Sequence, residues 1–375
     1  MKTIVLAANV AWYLSNFRRN TILKLIESGF HVVLMASRDN FSNRKKIESL
    51  GCDFIAVEID SGGKNPFKDL KTCFEFFMIY RQIKPDVVLN FTPKVNIFST
   101  LAASLLNIPS VNNIAGLGTI FVSGGFTSII VRTLYKISQS KASRIFFQNE
   151  EDKLLFIQQD LVPEHLAERI PGSGVDLEHF SPTSAPDDSI VRFILIGRML
   201  YEKGIQNYVE AARSLKDIYP NTEFYLLGPL DETKPSAIKS STIDNWVSEQ
   251  AISYLGFSES VQQEIAKIDC VVLPSYYREG VPRSLLEAAA MGKPIVTTDA
   301  IGCRETVDEG INGYLCKPRN SISLTEKLEL IVKMSHQERI AMGLAGRKKI
   351  EVEFDEKIVI DRYIRVINSI LKNRN

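Results

Sequence analysis

The stretch SYYREGVPRSLLEAAAMGKPIVTTD, Ser275 to Asp299, decides the fold. Just ahead of it the apolar run Cys270 to Leu273 ends at Pro274 and reads as a buried strand. A polar loop with Glu279 and Gly280 follows. Pro282 suits the first turn of a helix, where the N–H it lacks has no partner anyway. The helix is expected from about Arg283 to Ala290 with a stop near Gly292, and Pro294 to Thr298 opens a second strand. Strand, loop, helix, strand is the unit of a parallel sheet. Such a sheet binds ligands beyond the carboxyl ends of its strands. The helix start after Gly280 offers free backbone N–H groups, a seat for phosphate or a polar sugar. Glu279 precedes the helix and Glu287 lies within it, a little over two turns on, which places both toward one face. On their own, two such carboxylates are equally well read as a dipole partner and a solvated charge.

Working outward, 375 residues leave room for one large or two medium domains, and 45% hydrophobic residues suffice for their cores. No apolar run is long enough for a transmembrane helix. The opening MKTIVLAANVAWYL is too short to span and lacks a small-residue cleavage site, so it reads as a first strand. Five scattered cysteines (52, 73, 270, 303 and 316) have neither disulfide nor metal-ligand spacing and fit a reduced, cytoplasmic chain. Net charge is +1 and no nucleic-acid partner is expected. The halves differ: residues 1–148 hold 18 Lys and Arg against 9 Asp and Glu, and residues 149–375 hold 27 against 35. A basic front half suits a membrane surface or a lipid pyrophosphate; the alternative is two domains of opposite charge facing each other.

Along the chain, Thr3 to Ala8 is the first strand, and its loop, Asn9 to Asn16, has no glycine. Asn16 or Ser15 can cap a helix that Gly29 stops. Trp12, Asn16 and Arg18 on this loop suit acceptor binding, with plain packing of Trp12 and Tyr13 as the alternative. The helix Phe67 to Ile83 mixes phenylalanines with lysines; core packing is the ordinary reading and an interfacial membrane patch the other. Lys94 follows a strand end, where it can hold an anion or be simply solvated. The segment from Phe121 to Lys141, with Gly124-Gly125 near its start, is a second candidate for membrane contact. Pro182 to Ser189 reads as a linker. Beyond it Val191 to Ile196 is a strand, Gly197-Arg198 its end, and Lys203-Gly204 the start of a helix. Two cations at a strand end can stabilise the charge of a departing diphosphate. Cys303 has no basic partner in sequence and reads as packing.

Glu, seven residues, Glu, within EGVPRSLLE and followed by MGKPIV, resembles the signature of family 4 of the retaining nucleotide-sugar glycosyltransferases. The resemblance implies an α/β fold of the GT-B type: two Rossmann-like domains with parallel sheets facing across a cleft, and a C-terminal helix crossing back. It implies an N-terminal acceptor domain, 1–182 with helix 356–375, and a nucleotide-sugar domain, 190–355. Carried over to this chain, Glu279 touches the donor sugar, Glu287 the ribose, and Arg198 and Lys203 clamp the diphosphate. Gly197, Gly280, Val281, Pro282 and Arg283 line the same donor site; Asn16, Arg18 and Lys94 stand on the acceptor side. Many members carry a histidine near the loop at Asn113 to Thr119; none of the four histidines here lies there, and no imidazole is expected in the catalytic centre. Asn65-Pro66-Phe67, Gly116-Leu117-Gly118, Leu134-Tyr135-Lys136 and Ile301-Gly302-Cys303 make the chain most similar to bacterial α-1,3-N-acetylgalactosaminyltransferases that act on lipid-linked glycans. The implied reaction transfers a hexose or N-acetylhexosamine, GalNAc or Gal favoured, from a UDP-sugar to a polyprenyl-pyrophosphate glycan, with retention. No Asp-x-Asp motif is present, so neither metal nor other cofactor is expected. The expected location is the inner face of the cytoplasmic membrane, held peripherally. A UDP-sugar 2-epimerase and a non-catalytic glycan- or lipid-binding partner are the rival readings.

Overall fold

Most strands are short apolar runs, and each is separated from the next by a helix or a long connection, the condition for parallel pairing. The computed structural model describes residues 1–37, 46–47, 49–60, 62–63, 65–116 and 126–374, with 126 and 127 by backbone alone. Residues 117–125, which include the end of the Gly116-Leu117-Gly118 loop and the start of the second membrane candidate, lie outside the described residues, as does Lys64. The chain divides into a unit of residues 1–173 with 357–375 and a unit of residues 174–356.

In the first unit β1 (Thr3–Val10), β2 (His31–Ser37), β3 (Asp53–Ala56), β4 (Val87–Asn90), β5 (Ser110–Ile114), β6 (Arg144–Phe147) and β7 (Ala167–Arg169) form a sheet ordered β3-β2-β1-β4-β5-β6-β7. Every pairing in it is parallel. Side chains alternate across it, as the pleat requires. Ile4, Leu6, Leu34 and Leu89 face one way, onto Ile22, Leu25 and the C-terminal residues Val359, Tyr363 and Ile367. Val5, Val33 and Val88 face the other, onto Phe76, Tyr80 and Val95.

The second unit holds β8 (Val191–Ile196), β9 (Thr222–Leu227), β10 (Ser253–Tyr254), β11 (Cys270–Leu273), β12 (Ile295–Thr298) and β13 (Gly313–Cys316), ordered β10-β9-β8-β11-β12-β13. These pairings too are all parallel. The order reverses between β8 and β11, and at such a switch point the strand-end loops open a crevice. The helix Arg283–Ala290 stands where the sequence places it, and Gly292, at φ 70°, ends it.

Two expectations are corrected. The change of unit falls at Ser173/Gly174 rather than in Pro182–Ser189. Val175 and Phe180, ahead of that run, are buried in the second core, and the Val175 N–H donates to the Phe354 carbonyl at 3.0 Å. Composition marks the polar run; packing assigns the apolar residues before it. Neither Asn16 nor Ser15 caps a helix: both lie inside a short helix, Ala11–Phe17, and a second, Arg19–Glu27, starts after a break at Arg18.

Candidate active site

The switch point of the second sheet gathers the donor-side residues. Gly197 and Arg198 follow β8; a 3-10 turn, Tyr201–Lys203, then places Lys203 before the helix Ile205–Ile218. Lys203 thus ends a turn rather than beginning the helix. Gly204 makes this possible: it sits at φ +74°, and a Cβ there would lie 2.0 Å from the Pro274 carbonyl oxygen. Only glycine lets the β8 loop close on the end of β11 in this way.

On the β11 side Glu279 lies in the loop, before the helix. Its carboxylate forms an ion pair with the Lys203 ammonium, and both side chains are largely buried. The Ser275 hydroxyl donates to the same carboxylate oxygen at 2.9 Å. Lys203 also lies 5.8 Å from the centre of the Tyr277 ring. The Tyr276 and Tyr277 N–H groups donate to the Glu202 carbonyl at 3.0 and 3.3 Å, tying the two loops together. Arg198 differs: it is exposed and has no hydrogen bond or ion pair of its side chain among the described residues.

Glu287 projects from the second turn of its helix and accepts from Arg283 Nε at 3.1 Å, an i,i+4 pair. Burial pushes its carboxyl above the ordinary carboxylate range, while Arg283 and His179 pull it back down. Glu279 and Glu287 therefore do not form one carboxylate pair; each has its own cation. Val281 is buried, and Pro282 is the helix cap, with φ −64° and ψ 122°.

Sequence reasoning gave no site role to three residues here. Gly302, after β12, is at φ +81°, and a Cβ there would lie 1.6 Å from the Gly280 carbonyl oxygen, so it backs the loop that carries Glu279. Its signal was a glycine just past an apolar run. Ser275 was one more polar residue in a polar loop. His179 is distant in sequence, and its influence on the Glu287 carboxyl has no local signal. Cys303 is fully buried, and burial with the Glu279 charge pushes its thiol up to about 12, which keeps it protonated and inert.

The residues expected on the acceptor side lie in the segments after β1 and β4, at the switch point of the first sheet: Asn16 in the helix Ala11–Phe17, Arg18 at its end, and Lys94 in the first turn of the helix Pro93–Leu105. They are not equivalent. Asn16 is exposed, its amide donating to the Trp12 carbonyl at 2.9 Å. Arg18 is only 1% exposed; its guanidinium lies 4.5 Å from the centre of the Phe91 ring and donates to the Tyr13 hydroxyl at 3.0 Å. Aromatic faces can hold a cation inside a fold, and this makes Arg18 a support of the loop rather than an accessible contact. Lys94 pairs with Asp69 at 2.5 Å and donates to the Gly63 carbonyl at 2.9 Å.

Comparison with known proteins agrees with this geometry. Residues 178–349 match the family model described as glycosyl transferases group 1, and residues 3–149 match glycosyl transferase 4-like. The N,N'-diacetylbacillosaminyl-diphospho-undecaprenol alpha-1,3-N-acetylgalactosaminyltransferase of Campylobacter jejuni is 29% identical, with 96% of each chain covered. The capsular polysaccharide biosynthesis glycosyltransferase CapM of Staphylococcus aureus is 23% identical, with 82% of each covered. Among solved structures, sucrose-phosphate synthase from Thermosynechococcus elongatus superposes with a TM-score of 0.80 at 16% identity over 100% of both chains. HepE of Anabaena in complex with UDP and glucose superposes with a TM-score of 0.79 at 16% identity, over 98% of this chain and 100% of that one. One family model falls on each unit and the likeness in fold is full-length: the chain has the GT-B fold, with a glycosyl transferase 4-like domain at residues 3–149 and a glycosyl transferases group 1 domain at residues 178–349.

Proposed function

We propose that the protein transfers a hexose or N-acetylhexosamine, GalNAc or Gal favoured, from a UDP-sugar to a polyprenyl-diphosphate-linked glycan, with retention and without a metal. The carrying observation is Arg198, exposed and with no side-chain partner among the described residues, on the same strand-end loop as Lys203, which pairs with Glu279. A departing nucleoside diphosphate gains negative charge in the transition state; Arg198 and Lys203 offer it cations, and the amides after Gly280 add the helix dipole. Glu279, held in place by Lys203 and Ser275, orients the donor sugar and stabilises positive charge at its anomeric carbon. Glu287 accepts from a ribose hydroxyl. The acceptor hydroxyl attacks from the face that UDP leaves, with no enzyme nucleophile and no covalent intermediate. The Campylobacter relative and an Escherichia coli UDP-Gal:alpha-D-GlcNAc-diphosphoundecaprenol alpha-1,3-galactosyltransferase, 24% identical over 66% of this chain, support an undecaprenyl-diphosphate acceptor and a galacto-configured sugar. Such an acceptor places the protein at the cytoplasmic face of the membrane, held peripherally.

The test is a donor screen on purified protein: UDP-GalNAc, UDP-Gal, UDP-GlcNAc and UDP-Glc, each with EDTA and a synthetic polyprenyl-diphosphate sugar. A mass shift on the lipid from one donor, with an α-anomer by NMR, supports the proposal. Transfer only with added divalent cation removes the metal-free mechanism, and a β-anomer removes retention. UDP-GlcNAc turned over without acceptor favours the 2-epimerase, and no transfer from any donor favours the non-catalytic partner.

A further inference from the structure

Eight of the 21 exposed large apolar side chains among the described residues lie on three consecutive helices of the first unit: Pro66–Ile83, Pro93–Leu105 and Phe126–Gln139. These helices connect β3 to β4, β4 to β5 and β5 to β6, and each packs on the next. Successive right-handed crossovers running one way along a sheet stay on one face. The three therefore form the outer layer of that face, with their N-termini at the carboxyl ends of the strands.

The exposed residues are patterned. Phe67 is 82% exposed, Leu70 68% and Phe74 62%, with Met78 also exposed. At about 100° per residue these four fall within an arc of about 80°. The sheet takes the other side of the same helix through Phe76 and Tyr80. Ile129 and Ile130 stand exposed in the first turns of the third helix. Singly exposed apolar residues need no explanation, but an apolar stripe on an already packed helix does.

Over the second and third helices the charge has one sign. No Asp or Glu occurs from Val87 to Asn149, a run that contains Arg132, Lys136 and Lys141. Near Phe67 charge is closer to balance, since Lys68 pairs with Asp60 at 3.5 Å and Lys71 with Glu58 at 2.6 Å. Lys136 pairs with Asp160. Arg81 and Lys84, at the far end of the first helix, are exposed.

We propose that this three-helix layer seats the protein on an anionic lipid bilayer, with Phe67, Leu70 and Phe74 entering the interface and the cations of the third helix meeting the headgroups. Aromatic and long aliphatic side chains beside cations are what an interfacial surface requires. A second copy of the chain is the poorer occupant, because a two-fold contact through the third helix would set its acid-free, basic surface against itself. The proposal rests on the lipid-linked acceptor of the proposed function, but its test is independent of catalysis.

Full-length protein is sedimented with phosphatidylcholine vesicles and with vesicles in which a third of the lipid is phosphatidylglycerol. Wild type is expected to bind the anionic vesicles more strongly. The double substitution Phe67→Ser, Phe74→Ser is expected to weaken that binding about tenfold or more. Arg132→Glu with Lys136→Glu is expected to remove the preference for anionic lipid. Turnover on a short-chain, water-soluble acceptor should be unchanged in both. Absent vesicle binding, equal binding by the Phe67/Phe74 variant, or a dimer in light scattering that this variant dissolves would each overturn the proposal. Binding lost in the variant while no donor gives transfer upholds the docking surface and sinks the glycosyl-transfer reading instead.

Discussion

Lys203 and Glu279 are each other's partner in a largely buried pair, and Arg198 has no such tie. The three should therefore respond differently to substitution. Arg198→Ala should leave the melting temperature within error, as exposed residues outside special contacts do, while turnover falls about 100-fold, the usual cost of one electrostatic donor. Steady-state kinetics beside a thermal melt check both halves; near-wild-type turnover removes Arg198 from the clamp. Lys203→Ala and Glu279→Ala should lower turnover strongly and also cost stability, because each strands a buried charge. Glu287 gives a pH signature. Its folded value is raised by burial, so the folded form binds the proton more readily than the unfolded one. Its contribution is then best at low pH and is lost as pH climbs from the ordinary carboxylate range through the raised value. Glu287→Gln lacks that loss, so its melting temperature should improve relative to wild type between pH 4 and pH 8. A constant difference across that range would refute the raised value.

At the scale of elements, loop closure depends on glycine in places where composition shows little. Gly302→Ala would combine left-handed backbone strain of about 1–2 kcal/mol with a contact against the Gly280 carbonyl that must shift the loop. It should lower both stability and turnover, while donor analogues bind more weakly; an unchanged KM and melt would show that the loop tolerates the methyl. Lys293, which follows the helix carrying Glu287, is 2% exposed and donates to the Ala266 carbonyl at 3.1 Å. Burial lowers its ammonium to about 8 from 10.5, with Asp269 opposing. A lowered base destabilises the fold most below that value, and the penalty fades as pH rises toward the unfolded one. Lys293→Met should thus raise the melting temperature at pH 7, with the gain shrinking by pH 10. The helix Arg283–Ala290 was legible because proline, apolar spacing and glycine agree over eight residues. The break at Arg18 was not: it is made by a guanidinium turning inward onto Phe91, a residue of another strand end.

Across the whole chain, the last helix, Glu356–Lys372, joins the first unit although it follows the second in sequence. Val359, Tyr363 and Ile367 are buried there among residues of β1, β4 and β6. Arg362 pairs with Glu168 at 3.1 Å, and Arg374 donates to the Asp86 carbonyl at 3.2 Å. Tyr363 is 1% exposed, and its hydroxyl has no hydrogen-bond partner among the described residues. Tyr363→Phe should therefore be neutral or slightly stabilising, since it removes an unsatisfied buried group. Tyr363→Ala should cost about 3–5 kcal/mol, as large aromatic truncations do. Urea titration separates the two; a destabilised Phe variant would show that the hydroxyl has a partner.

The sequence by itself determined the class of the fold and marked the charged residues at the switch point of the second sheet. Strand, loop and helix alternation dictates parallel sheets, and Arg198, Lys203, Glu279 and Glu287 are local signals on strand-end loops. The resemblance it carries also implied a C-terminal helix crossing back to the first domain. Tertiary structure alone decided which carboxylate meets which cation, that Arg18 turns inward, that Lys94 is tied to Asp69, and that the unit changes at Ser173. Each of these depends on a partner distant along the chain. Local propensity and periodicity read neighbours within a few residues; burial and pairing are set by contacts that only the folded chain brings together.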